Sequence, residues 1–147
     1  MIIYGSGEYN SSTSYLTYLS GHETFHQWFY GLVGDAQPVD GWLDEGLATY
    51  LGYQFLGSKM APADFAALWQ VDVVERYKAG VAKWGDPPQD STIYYYVDNH
   101  HSFSVGYRKG ALLHEEVRAA LGTDAYYQLL RDYVAANSMG SRPRRIC

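Results

Sequence analysis

The densest chemistry in this sequence lies in the five residues from 22 to 26, which read H-E-T-F-H and match the pattern His22-Glu23-x-x-His26. On a helix, residues four apart differ by about 40° of rotation, so both imidazoles face one side and can share a single tetrahedral cation. The spacing suits one zinc ion. Glu23 stands roughly 100° round from His22 and roughly 60° from His26, near enough to act on a water at that cation without being a ligand. A third donor is needed, and the carboxylates within reach are Asp35, Asp40, Asp44 and Glu45, the last following His26 after an 18-residue interval. Spacing alone leaves the choice among them open. Two histidines and one carboxylate leave the fourth position of a tetrahedral ion free, which is the pattern of a catalytic rather than a structural site.

These groups need helices to bring them together. Leu16, Leu19, Phe25, Trp28, Phe29 and Leu32 recur at helical spacing behind the cap candidates Ser11, Ser12, Thr13 and Ser14, predicting a helix over 14–30 that Gly31 and Gly34 stop. The turn-rich GDAQPVDG stretch ends in Asp40, the expected cap of a second helix over 41–56, with Leu43, Leu47, Tyr50, Leu51 and Phe55 on its apolar side. A short connection makes the two helices antiparallel neighbours, so an early carboxylate of the second can return to the histidines. Pro62 opens a third helix over 62–80. Residues 85–106 carry two prolines and no helical period, predicting a long ordered loop with a brief strand over 92–97, and loops of that length are often functional. Helices over 107–121 and 123–136 follow. The first ten residues, MIIYGSGEYN, predict at most a short edge strand, and 137–147 reads as a disordered basic tail. The fold class is mainly α.

Composition excludes several kinds of function. The chain has 147 residues, 47% hydrophobic and 18% charged, enough apolar surface for one core and too much for a disordered protein. A net charge of -5 argues against nucleic acid as a partner, because phosphate contacts need clustered Lys and Arg. Cys147 is the lone cysteine, so any metal must be held by His, Asp or Glu rather than by a thiolate cage. No run of about 18 apolar residues occurs, and the first residues lack the basic start and apolar stretch of a signal peptide, so no membrane segment or targeting address is expected in this chain. Tyrosine is unusually abundant, with 15 residues.

The stretch HETFHQWFYGLVGDAQPVDGWLDEGLATYLGY resembles the zinc-site region of the gluzincin aminopeptidases, the aminopeptidase N and leukotriene hydrolase family. That family's pattern is H-E-x-x-H, 18 residues, then E, with matching Gln27, Trp28 and Phe29 and a W-L-x-E-G-x-A-x-Y frame around Glu45. The resemblance covers about residues 5 to 136 and implies a thermolysin-like helical lobe over 1–136, part of a catalytic domain. It implies that His22, His26 and Glu45 hold the zinc, that Glu23 is the general base, and that the substrate is a peptide or protein. Tyr107-Arg108-Lys109-Gly110 matches the family's Y-x-K-G, whose tyrosine stabilises an oxyanion. Gly7-Glu8-Tyr9 matches in part a glycine-rich strand whose glutamate binds the substrate's free amino group. Its methionine is missing and 13 residues separate Glu8 from His22, fewer than the family normally has.

Other features have plainer readings. His100 and His101 belong to a surface loop, Tyr94, Tyr95 and Tyr96 either pack or line a substrate wall, and His114 is an ordinary helix residue. Family enzymes carry further domains around this region, which motivates a second reading: a zinc-stabilised helical module, or a fragment that binds without turning over substrate. Retention of Glu23 and Tyr107 beside the three ligands favours the enzyme.

Overall fold

The computed structural model describes residues 12–34 and 36–138. Its elements are α1 (Thr13–Phe25), α2 (Gln37–Gly57), α3 (Pro62–Trp69), a π-helical segment (Gln70–Glu75), α4 (Arg76–Trp84), α5 (Ile93–Asp98), α6 (Ser104–Leu121) and α7 (Thr123–Asn137). The fold is mainly α, with no strand among the described residues. The expected edge strand over residues 1–10, Glu8, Asp35, and the tail from 139 onward lie outside the described residues. No described helix is long and apolar enough to cross a membrane.

Helix α1 starts where Ser12 Oγ accepts the Tyr15 N–H at 3.2 Å, which satisfies one of the first turn's orphan donors. It ends at Phe25, five residues before the expected Tyr30. Beyond that point the chain widens: Gly31 N–H bonds His26 O and Val33 N–H bonds Trp28 O, each at 2.8 Å. Glycine's poor helix propensity favours such a break. His26 keeps right-handed helical angles as the C-cap (φ -60°, ψ -17°), so the four-residue relation to His22 survives.

Helix α2 begins at Gln37, four residues earlier than expected, because a proline in the first turn needs no N–H partner there. Asp40 is not the cap; it lies within that first turn, where its charge suits the positive helix end. The expected strand over 92–97 is helix α5. Thr92 Oγ1 accepts the Tyr95 N–H at 3.1 Å, so the β-prone run Ile93-Tyr94-Tyr95-Tyr96 is started as a helix, with no strand among the described residues to pair with. The expected loop is shortened accordingly, with α6 beginning at Ser104. The third predicted helix runs on through the π-helical segment to Trp84 and stops at Gly85, whose φ of 87° favours glycine.

Helix α2 is the centre of the packing. Its residues from Gly46 to Tyr53 are buried all round, so it lacks a solvent face over two turns. The core joins Leu47, Tyr50, Leu51 and Leu56 of α2 to Val73, Ala111 and Tyr126. Several tyrosines are core residues with satisfied hydroxyls: Tyr50 donates to Glu115 Oε2 at 2.9 Å, and Tyr126 lies 3.1 Å from His114 Nδ1. His114 is therefore more than an ordinary helix residue. It stacks on Tyr50 with ring centroids 5.9 Å apart, and burial pushes its pKa down to about 4.

Two glycines set the crossing of α2 and α6. A Cβ on Gly46 would stand 2.8 Å from Gly110 Cα, and one on Gly110 would stand 2.5 Å from Gly46 Cα. Backbones in such contact tolerate no side chain. Gly110→Ala is therefore expected to lower stability by about 1–3 kcal/mol or more in urea unfolding, as overpacking does; an unchanged midpoint would refute the crossing. A second expectation concerns acid. The unfolded chain protonates His114 near its ordinary value of 6.5 and the folded chain only near 4, so stability present above pH 6.5 is lost as pH falls to 4. That loss is on the order of a few kcal/mol. His114→Gln should flatten the stability profile between those values, and a profile as steep as the wild type's would exclude His114 as its source.

Candidate metal and catalytic site

The crossing of α1 over α2 is also made by missing side chains. A Cβ on Gly52 would stand 3.0 Å from both His22 N and Tyr18 O, so α1 rests directly on α2. This brings His22 against Glu45. Glu45 Oε2 lies 3.1 Å from His22 Nε2 and 3.4 Å from His26 Nε2, and the two Nε2 atoms are 3.1 Å apart. Donors held about 2.0–2.1 Å from a tetrahedral ion stand ~3.3 Å from one another, and the three observed separations bracket that value. Glu45 Oε2 is buried and makes no well-aligned hydrogen bond to either ring. The three lone pairs thus converge on a common point, and the residues present fit a single cation. Among the described residues His22, His26 and Glu45 are the one such group of metal-capable side chains.

The rings are held from behind. His26 Nδ1 donates to Asp44 Oδ1, which is fully buried, and His22 Nδ1 lies 3.5 Å from Thr49 Oγ1. A ring whose Nδ1 carries the proton presents Nε2 as a lone pair, so Asp44 sets the tautomer that a cation requires. Electrostatics within the cluster is strong. Burial alone would lower the His26 pKa, but Asp44 and Glu45 outweigh it and push it up to about 10. Burial alone would raise that of Glu45, but the two imidazoles hold it down at about 2.

A cavity of about 550 Å³ opens beside the cluster, with His22, Glu23 and Tyr107 in its lining. Tyr107 comes from the first turn of α6, with its ring centroid 6.1 Å from that of His22 and 5.0 Å from that of Phe103. Burial, then the charge of the neighbouring Glu45 carboxylate, pushes the Tyr107 phenol far above its ordinary pKa. It remains a neutral donor across the physiological range. Lys109 turns away and pins the preceding loop, donating to Asp86 Oδ1 at 2.8 Å and Pro87 O at 2.7 Å. The structure thus unites His22, Glu23, His26, Glu45 and Tyr107. His100, His101 and Tyr94 to Tyr96 do not line the cavity: His101 stacks on Tyr95 and Tyr96 packs on Phe103. A second hollow of about 580 Å³, among Phe25, Trp28, Phe55, Tyr127 and Leu130, has none of these groups.

Against known proteins, residues 5–145 match the Peptidase family M1 domain. The chain belongs to peptidase family M1. A Caenorhabditis elegans protein named among the aminopeptidases is 30% identical over 113 residues, 77% of this chain and 6% of that protein. Aminopeptidase M1-A of Oryza sativa subsp. japonica is 29% identical over 119 residues, 77% of this chain and 13% of that protein. The thyrotropin-releasing hormone-degrading ectoenzyme of Mus musculus is 29% identical over 146 residues, 91% of this chain and 13% of that protein. The chain therefore spans between 6% and 13% of these relatives' lengths. No solved structure matches it.

By spacing alone Asp44 is only a rival ligand for the third position. The signal for its real position was present: a carboxylate next to Glu45 on a helix points about 100° away, off the shared face of the donors but within reach of an outer ring nitrogen. Asp44→Asn keeps the shape and removes the charge. It is expected to weaken zinc affinity about 10- to 100-fold in competition with a chromogenic chelator, with the helical spectrum retained. Undiminished affinity would remove Asp44 from the site.

Proposed function

We propose that this member of peptidase family M1 is a zinc metallopeptidase that hydrolyses peptide bonds as an aminopeptidase. The observation that carries the reading is the convergence of three lone-pair donors, His22 Nε2, His26 Nε2 and Glu45 Oε2, on one point, with His22 reaching the wall of a cavity that Glu23 and Tyr107 also line. His22, His26 and Glu45 would hold one zinc ion, which when bound supplies Lewis acidity to the scissile carbonyl.

The remaining work belongs to the chain. Glu23, beside the donors but outside their set, takes the proton from the attacking water and hands it to the leaving amine. Tyr107, kept protonated by burial, donates to the oxygen on which negative charge develops. Asp44 keeps His26 in the ligating tautomer. The buried floor of α2 keeps bulk water from the donors, which strengthens each of these interactions. Glu8, outside the described residues, is assigned to the substrate's free amino group. The names of the relatives support exopeptidase action.

The test is hydrolysis of aminoacyl p-nitroanilides by zinc-loaded protein with and without chelator. Glu23→Gln is expected to keep stoichiometric zinc and lose about 10²- to 10⁴-fold in kcat; Tyr107→Phe should keep zinc and lose about 10²- to 10³-fold. Full turnover in Glu23→Gln would sink the general-base assignment. Zinc-loaded protein with no chelator-sensitive hydrolysis would instead support a module that binds without catalysis.

A further inference from the structure

The cavity wall also carries groups that the proposed chemistry does not use. Its lining includes Tyr18, Tyr53, Asp72, Arg76 and Arg108. Asp72 and Arg76 neutralise one another across 3.0 Å, and Arg76 is mostly exposed. Arg108 is different. It is half-buried, its Nε donates to Asp72 O at 3.0 Å and its Nη1 to Ser104 O at 2.9 Å. Those carbonyls belong to the π-helical segment and to the first turn of α6, so the guanidinium is clamped between two elements. Main-chain carbonyls orient a guanidinium without cancelling its charge. Of its five N–H donors these bonds use two, leaving the rest of the fork and a full positive charge beside the cavity.

Two phenols complete the wall. Tyr18 and Tyr53 pack with ring centroids 4.3 Å apart. Both phenols line the same cavity as Arg108. A phenol is ordinarily protonated across the physiological range. A rigid guanidinium fork flanked by neutral phenols is a donor set for a planar, singly charged carboxylate, which Arg meets in two parallel bonds. A phosphate's second charge would meet Glu23 in the same cavity.

We propose that Arg108, with Tyr18 and Tyr53, forms a carboxylate-binding subsite in the cavity wall and makes the preferred substrate a peptide bearing a carboxylate close to the scissile bond. The inference rests on reading the cavity as a peptidase site. Arg108 directly follows Tyr107 in α6, so the subsite and the oxyanion donor are fixed to one helix turn. The carboxylate can come from an acidic side chain or from the C-terminus of a short peptide, and both sources present the same chemistry.

Two matched pairs separate the sources: Glu-Ala-amide against Gln-Ala-amide, and Ala-Ala against Ala-Ala-amide. Binding of each to the metal-free full chain is measured by calorimetry, where no turnover interferes, and kcat/KM of each is measured on the zinc-loaded protein. The expected result is about ten- to a hundredfold preference for the carboxylate member of at least one pair, collapsing in Arg108→Gln. Preference in the first pair assigns the subsite to a side chain, in the second to a C-terminus. Should Arg108→Gln fail to fold, Tyr53→Phe is expected to reduce the preference about two- to tenfold. Equal or absent binding within both pairs, or a preference that the variant leaves intact, overturns the proposal. Loss of all turnover with the binding preference preserved would count against the peptidase reading and not against the subsite.

Discussion

The contact on which the site depends is between two bare backbones. Gly46 and Gly110 let α2 and α6 touch where any side chain would force them apart. Glu45 immediately precedes one of these glycines and Tyr107 lies one turn before the other, so the carboxylate and the phenol meet because the helices do. The opposite side of α2 obeys the same constraint. Gly52 admits α1 close enough that His22 stands over Glu45. A helix gripped on both flanks has no room to shift, and a metal-binding cluster needs donors held within a few tenths of an ångström.

Burying so many polar groups is unfavourable unless each finds a partner. Here the partners are arranged in sequence outward from the cluster: Glu45 faces both imidazoles, Asp44 holds the outer nitrogen of His26, and Thr49 approaches that of His22. The mutual perturbation of His26 and Glu45 expresses three lone pairs crowded around one point. A divalent cation would compete with protons for those lone pairs. Tyrosine suits the remainder of this interior because it fills volume like an apolar ring and still ends in a hydroxyl, as Tyr50 and Tyr126 do in the core and Tyr18, Tyr53 and Tyr107 do around the cavity.

Membership in peptidase family M1 accounts for the donor set and leaves the cavity wall to be explained from this chain. The cavity wall is cationic at Arg108, although the chain as a whole is acidic. A guanidinium clamped by carbonyls from two separate elements keeps its place with no ion-paired acid among the described residues, unlike a surface ion pair such as Asp72–Arg76.

By itself the sequence determined the helical class, the order of the long helices and the identity of the residues that come together. These follow from short-range rules: apolar periods, caps and prolines act over a few residues, and H-E-x-x-H puts two rings on one face whatever surrounds it. The short elements were misread where a local preference had two outcomes. The run over 93–97 is as suited to a strand as to a turn of helix, and only the Thr92 cap and the absence of a pairing strand among the described residues decided it. Among Asp35, Asp40, Asp44 and Glu45, spacing offered no choice. The family resemblance singled out Glu45, but only the tertiary structure gave Asp44 to the outer nitrogen of His26, because that outcome depends on how far α2 is rotated against α1, and the rotation is set by glycine contacts between residues distant in the chain.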